Sequence, residues 1–329
     1  MVLRLLIAFL VSLVVTVAVG LFLIPALTRM KAGQSIREDG PVWHNKKKGT
    51  PTMGGVMFII GIVTACFTVG FQEIIKGTLS HLFVLVFAMV FGSIGFIDDY
   101  YKLKKKQNLG LTAIHKFILQ LIAAVGFVLL MRLTGYLTAN LYIPFFNITI
   151  PIPEPLYYIF AAFVSVGTVN SVNITDGVDG LATGVSIPVA VFFIVVAYLW
   201  GYMAIGVFAA ALAGGLIAFL FFNYNPAKVF MGDTGSLFLG GAICAMAFAV
   251  DMPLVLIPLG IVYFMETLSD IIQIAYYKLT HGKRVFKMAP LHHHFEMCGW
   301  SEVKLFAVFT SVSACFAVIS YAGVAARFR

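Results

Sequence analysis

Of the 329 residues, 61% are apolar or aromatic and only 11% are charged, which excludes a soluble globular domain of this size. The net charge of +8 does not point to nucleic acid, because the basic residues are tethered in short loops between apolar runs. The expectation is an all-α polytopic integral membrane protein, one membrane domain over residues 1–329 without soluble domain, linker or internal repeat.

Ten apolar segments read as membrane helices, at 3–27, 52–71, 80–97, 113–131, 156–171, 181–199, 203–222, 235–250, 254–277 and 303–325. A hydrocarbon core of ~30 Å asks for about 20 helical residues. The first segment is too long for a signal-peptide core and lacks a small-x-small cleavage site, so it counts as a helix. Segments 28–51, 98–112, 223–234 and 278–302 hold fifteen Lys/Arg, among them Lys46, Lys47, Lys48, Lys104, Lys105 and Lys106. The positive-inside rule makes these segments cytoplasmic and puts both termini outside. Contact with anionic membrane lipids accounts for most of those charges. Between the fourth and fifth helices, LYIPFFNITIPIPEP (141–155) is rich in β-formers and prolines and predicts a short outward hairpin near 140–153. Cys66, Cys244, Cys298 and Cys315 form no CxxC pair and read as buried thiols.

Asp98, Asp99, Asp176, Asp179 and Asp233 cluster at cytoplasmic loops or helix ends, and the polar motifs there follow in chain order. HNKKKGTPTMGG (44–55) is not a phosphate loop of the Walker kind, but Lys47 and Thr52 with exposed amides suit an anion. VFGSIGFIDDYYKLKKK (90–106) places Asp98 and Asp99 side by side where a helix leaves the bilayer. They either mark the exit or perform chemistry; on a helix, neighbours point about 100° apart, so the two need not share a job. IHKFILQ (114–120) adds Lys116 at a helix start. NSVNITDGVDGLATG (170–184) carries Asn173, Asp176 and Asp179, the two acids on one face if helical. Helix capping and a turn are the plainer explanation of that loop. FFNYNPAKVFMGDTGSLFLGG (221–241) sets Asp233 at a helix start, as an N-cap or beside amides suited to phosphate. KMAPLHHHFE (287–296) contains His292, His293 and His294, which point in different directions and so do not chelate one zinc.

Carboxylates, lysines, histidines and glycine-rich loops on one membrane face fit phosphoryl transfer with a divalent cation, between a lipid and a cytosolic substrate. KKGTPTMGG, FIDDYYK, NITDGVDGLA, FMGDTGS and APLHHHFE, in that order over nearly the whole chain, resemble the polyprenyl-phosphate N-acetylhexosamine-1-phosphate transferases, the last motif its bacterial peptidoglycan branch. The resemblance implies Mg²⁺-dependent transfer from UDP-N-acetylmuramoyl-pentapeptide to undecaprenyl phosphate, giving lipid I and UMP at the bacterial inner membrane. It also implies ten helices with outward termini and a homodimer. By motif, Asp98 and Asp99 are the aspartate pair and Asp233 the metal ligand, helped by Asp99. Asp176 and Asn173 fall at the nucleotide-recognising loop. Lys47, Thr52, Lys116, Asp179, Asn223, Phe230, Gly232 and His292–His294 match further functional positions, with Phe230 expected to stack on uracil. Two alternatives stand beside this: a UDP-N-acetylglucosamine-1-phosphate transferase, and an ion-coupled transporter using Glu266 and Asp270.

Overall fold

A computed structural model describes residues 1–30, 47, 49–105 and 110–328 of the chain. Lys46, Lys48 and Lys106 lie outside the described residues. The fold is all-α apart from one hairpin. Its helices are α1 (Val2–Arg29), α2 (Gly55–Thr68), α3 (Phe71–Ile75), α4 (Ser80–Lys105) and α5 (Ala113–Leu133). After the hairpin come α6 (Glu154–Thr175), α7 (Leu181–Trp200), α8 (Met203–Asn223) and α9 (Gly232–Ala249). The chain finishes with α10 (Leu256–Leu259), α11 (Ile261–Leu279), α12 (Leu291–Glu296) and α13 (Glu302–Val324).

Eight of these helices are long and apolar enough to cross a membrane, which makes this a multi-pass membrane protein. Two of the ten expected spans differ from expectation. The segment 52–71 becomes α2, of 14 residues, followed by the five-residue α3. The segment 254–277 is broken: α11 leaves the preceding helical turn at 80°. Pro258 and Gly260 supply the reason, since proline removes a helical hydrogen bond and glycine is a poor helix former.

Helices α8 and α9 form the centre. Nearly all of α9 is buried, whereas little of α1 is, and α9 is apolar on every side. Its most extensive partner is α4. Gly95 permits that approach, for a Cβ there would overlap the Asp233 carbonyl. In a membrane, where lipid competes with side chains for apolar contact, such close backbone packing is what holds helices together. The expected hairpin is present as β1 (Asn140–Ile143) and β2 (Ile148–Pro151), antiparallel, with Asn140 opposite Pro151. It is pinned to α13 by a 2.7 Å bond from Phe145 N to Gly323 O. Cys66 and Cys244 are buried as expected; Cys298, just after α12, and Cys315, on α13, are exposed.

Candidate active site

The close crossing of α4 and α9 carries the last turn of α4 past the first turn of α9, and this brings Asp98 and Asp99 to Asp233. One oxygen of each of the three carboxylates lies within 4.8 Å of the others. Asp99 faces the start of α9. Its Oδ1 accepts the Asp233 amide at 3.2 Å, and its Oδ2 accepts the Thr234 amide at 2.9 Å and hydroxyl at 2.7 Å. The residue that precedes α9, Met231, gives no side-chain cap, so Asp99 supplies the cap from another helix. These amides are therefore not the open phosphate cradle that the MGDTGS motif suggests. Asp233 is not the N-cap either; its carboxylate lies inside the first turn and points away from the helix amides.

Asp98 points elsewhere. Its Oδ1 accepts the Leu111 amide at 2.7 Å, and its Oδ2 meets Lys102 Nζ at 2.6 Å. The same ammonium reaches Asp233 Oδ2 at 3.0 Å, where Lys116 Nζ also sits, at 2.7 Å. Asn173 donates through one amide nitrogen to Asp233 Oδ1 at 2.9 Å and to Ser236 Oγ at 2.7 Å. Asp98 and Asp99 are 3% exposed, and Asp233 is the most open of the three. Buried carboxylates this close repel one another and persist only with cations between them. Hard oxygen donors at this spacing fit a divalent cation that keeps substrate oxygens or water in its remaining positions.

Around this centre the first loop is knitted to the segment before α9. Phe230 N donates to Pro51 O at 2.9 Å, Gly54 N to Phe230 O at 2.8 Å and Gly55 N to Met231 O at 3.0 Å. Gly232, at φ 69°, is enclosed by Asp99 and Thr52; a Cβ would lie 2.6 Å from the Asp99 carboxylate and 2.7 Å from the Thr52 hydroxyl. Thr52 and Gly232 thus border the carboxylates, with a half-buried Phe230 two residues away.

The 173–180 loop departs from expectation. Asp176 ends α6 and residues 177–180 form a turn, so Asp176 and Asp179 share no helical face. Burial, with the nearby charges of Asp233, Asp99 and Asp179 adding and Lys47 opposing, pushes the Asp176 carboxyl up to about 8. Asp179 is buried and takes internal donors on both oxygens: Lys47 Nζ at 2.7 Å on one, Asn225 Nδ2 at 3.0 Å and Ala227 N at 2.9 Å on the other. Glu302 closes this clamp, meeting Lys47 at 2.6 Å and the Asp179 amide at 3.0 Å. Asn223 is also inward, accepting from Thr183 Oγ1 at 2.9 Å and donating to Val229 O at 3.0 Å. Asp179 and Asn223 thus tie the 176–180 turn to the segment between α8 and α9.

The three histidines diverge, as a helical run must. His292 Nδ1 meets Glu266 Oε2 at 2.8 Å, His293 Nδ1 meets Glu296 at 2.7 Å, and His294 Nδ1 accepts the Lys287 amide at 3.1 Å. His294 thereby staples the 283–287 segment and faces away from His292. Glu266 is this histidine's partner, which removes the main support for an ion-transport path through Glu266 and Asp270. Sequence reasoning gave no role to Lys102, although it stands four residues after Asp98 on a helix, a spacing that pairs opposite charges. It also missed Glu302, for which no local signal exists.

Residues 81–251 match the model of glycosyl transferase family 4, and residues 47–59 match signature 1 of phospho-N-acetylmuramoyl-pentapeptide-transferase. The chain is 45% identical over 323 residues to the phospho-N-acetylmuramoyl-pentapeptide-transferase of Clostridium perfringens (strain SM101), covering 98% of this chain and 97% of that one. The chain belongs to the phospho-N-acetylmuramoyl-pentapeptide-transferase family. A Staphylococcus aureus member (strain bovine RF122) is 48% identical over 307 residues, 92% of this chain and 94% of the relative. The signature falls on the loop that carries Lys47 and Thr52, and the family model encloses Asp98, Asp99, Asp176 and Asp233.

Proposed function

We propose that this transferase moves phospho-N-acetylmuramoyl-pentapeptide from UDP to undecaprenyl phosphate, releasing UMP and leaving lipid I, with Mg²⁺ held at Asp233 and Asp99. The observation that carries the reading is the three-carboxylate, two-lysine cluster at the α4–α9 crossing, set among the family's motifs. A divalent cation bound there supplies neutralisation of the diphosphate and of the departing UMP.

The chain's own groups account for the remaining steps. Asp98 accepts the proton of the lipid phosphate where one is present. An oxygen of that phosphate attacks the β-phosphorus of the nucleotide sugar, the new P–O bond forms, and the bond to the bridging oxygen breaks, that oxygen leaving with UMP. Lys102 and Lys116 offset repulsion between the two anionic substrates. Asn173 holds Asp233 in place. Asp176 and Phe230 receive the nucleotide, Thr52 and Gly232 border the diphosphate, and Lys47 closes the pocket from the side of Asp179. His292 and His293 approach from α12. The basic loops around the cluster support a cytoplasmic-facing site in the bacterial inner membrane, and the family resemblance supports a homodimer.

Purified protein given UDP-N-acetylmuramoyl-pentapeptide, undecaprenyl phosphate and Mg²⁺ is expected to form UMP and lipid product in equal amounts. UDP-N-acetylglucosamine in its place is expected to give none. UMP release without the lipid acceptor would replace direct attack by a covalent aspartyl intermediate.

A further inference from the structure

Glu266 and His292 are 0% and 1% exposed, although they come from different helices, α11 and α12. The carboxylate devotes both oxygens to this one residue. Oε2 meets the ring Nδ1 at 2.8 Å, and the His292 amide donates to Oε1 at 3.2 Å and to Oε2 at 3.4 Å. A carboxylate only accepts, so the ring proton lies on Nδ1, and both the tautomer and the ring plane are fixed. The other nitrogen, Nε2, is buried with no hydrogen-bond partner among the described residues. It lies against the backbone of Gly177, where a Cβ would overlap it, next to Asp176 in the 173–180 loop. A histidine that served packing alone would leave neither a buried carboxylate behind it nor an orphaned nitrogen in front.

We propose that Glu266 is a positioning residue for the transfer: it holds His292 so that Nε2 meets a diphosphate oxygen of the nucleotide sugar at the 173–180 loop. This rests on the function proposed above. The carboxylate behind the ring offsets the charge that a proton on Nε2 brings, and it is with that proton that the nitrogen donates to an anionic oxygen. Other titratable groups near the ring include Asp270, one turn along α11, Asp176 beside Gly177, and His293, whose ring centroid is 4.2 Å away and which meets Glu296. Glu266 lies six residues beyond the break at Gly260, so it also fixes how the bent α11 meets the site.

The test is a double-mutant cycle on UMP release by wild type, Glu266→Gln, His292→Gln and the double variant, with Glu266→Asp as the conservative replacement. Glu266→Gln is expected to lower kcat roughly tenfold to a hundredfold, with KM for undecaprenyl phosphate unchanged, and Glu266→Asp to recover part of that loss. In the His292→Gln background the Glu266 change is expected to cost less than about threefold further. Equal losses in both backgrounds, or no loss with His292 intact, overturn the proposal. Should Glu266→Gln fail to fold, Glu266→Asp with and without His292→Gln decides by the same comparison. A wild type without UMP release overturns the functional reading itself, whereas an active wild type with additive losses overturns this proposal alone.

Discussion

Replacing Asp233 with asparagine would leave Lys102 and Lys116 facing a neutral amide and would remove the most open of the three carboxylates. UMP release is expected to fall by roughly 10²–10³-fold, with Mg²⁺ affinity, read by calorimetry, falling as well. Asp179 behaves differently because it is a clamp. Asp179→Ala strips Lys47, Asn225 and Ala227 of an acceptor, and its loss is expected to cost about 3–5 kcal/mol of stability, seen as a lower apparent Tm. The affinity for UMP should change far less. Asp176 gives the pH dependence. Its folded-state value lies near 8, above the ordinary carboxylate range, so the folded protein keeps a proton that the unfolded chain loses near pH ~4. That stabilising contribution is complete below about pH 4 and is lost as pH rises through about 8. In EDTA, apparent Tm should fall between pH 5.5 and 8.5, and Asp176→Asn should flatten the slope. The sequence motifs made these residues visible but not their partners. Asp98 and Asp99 were readable as a pair with separate roles, yet only the fold shows Asp99 capping α9, since that bond joins residues 135 positions apart.

The decisive element is the crossing of α4 and α9. Gly95 sets its distance, and Gly95→Val would force α4 away from the Asp233 backbone. Overpacking of this kind costs typically 1–3 kcal/mol, but the same shift moves Asp98 and Asp99 off Asp233. Activity is therefore expected to fall by more than the loss of folded protein explains, measured as UMP release per monodisperse molecule. Hydropathy revealed the eight membrane-length helices because lipid demands long apolar runs. It did not reveal the 80° break at Gly260, because the residues on both sides remain apolar. Nor did it show that the DGVDG segment is a turn, since aspartate and glycine serve helix ends and loops alike. The hairpin was legible from its β-branched residues and prolines.

Across the whole molecule, the lysine-rich loops fall on the rim that carries the site, while the opposite rim holds a few ion pairs such as Arg132–Glu154 and Arg4–Glu73. A single reporter cysteine at Lys104, in a cysteine-free background, is expected to react with an impermeant thiol reagent only from the inner face of oriented vesicles. One at Ile148, in the hairpin, is expected to react only from the outer face; the reverse pattern would invert the topology. Family membership and the carboxylate cluster then converge on one claim, that the rim of a membrane bundle joins a nucleotide sugar to a lipid phosphate. The most direct measurement is UMP release by the purified protein with UDP-N-acetylmuramoyl-pentapeptide and undecaprenyl phosphate, with Mg²⁺ and with EDTA. Equal amounts of UMP and lipid product, abolished by EDTA and reduced by roughly 10²–10³-fold in Asp233→Asn, is the predicted result. Full activity of Asp233→Asn, or turnover that persists in EDTA, would contradict it.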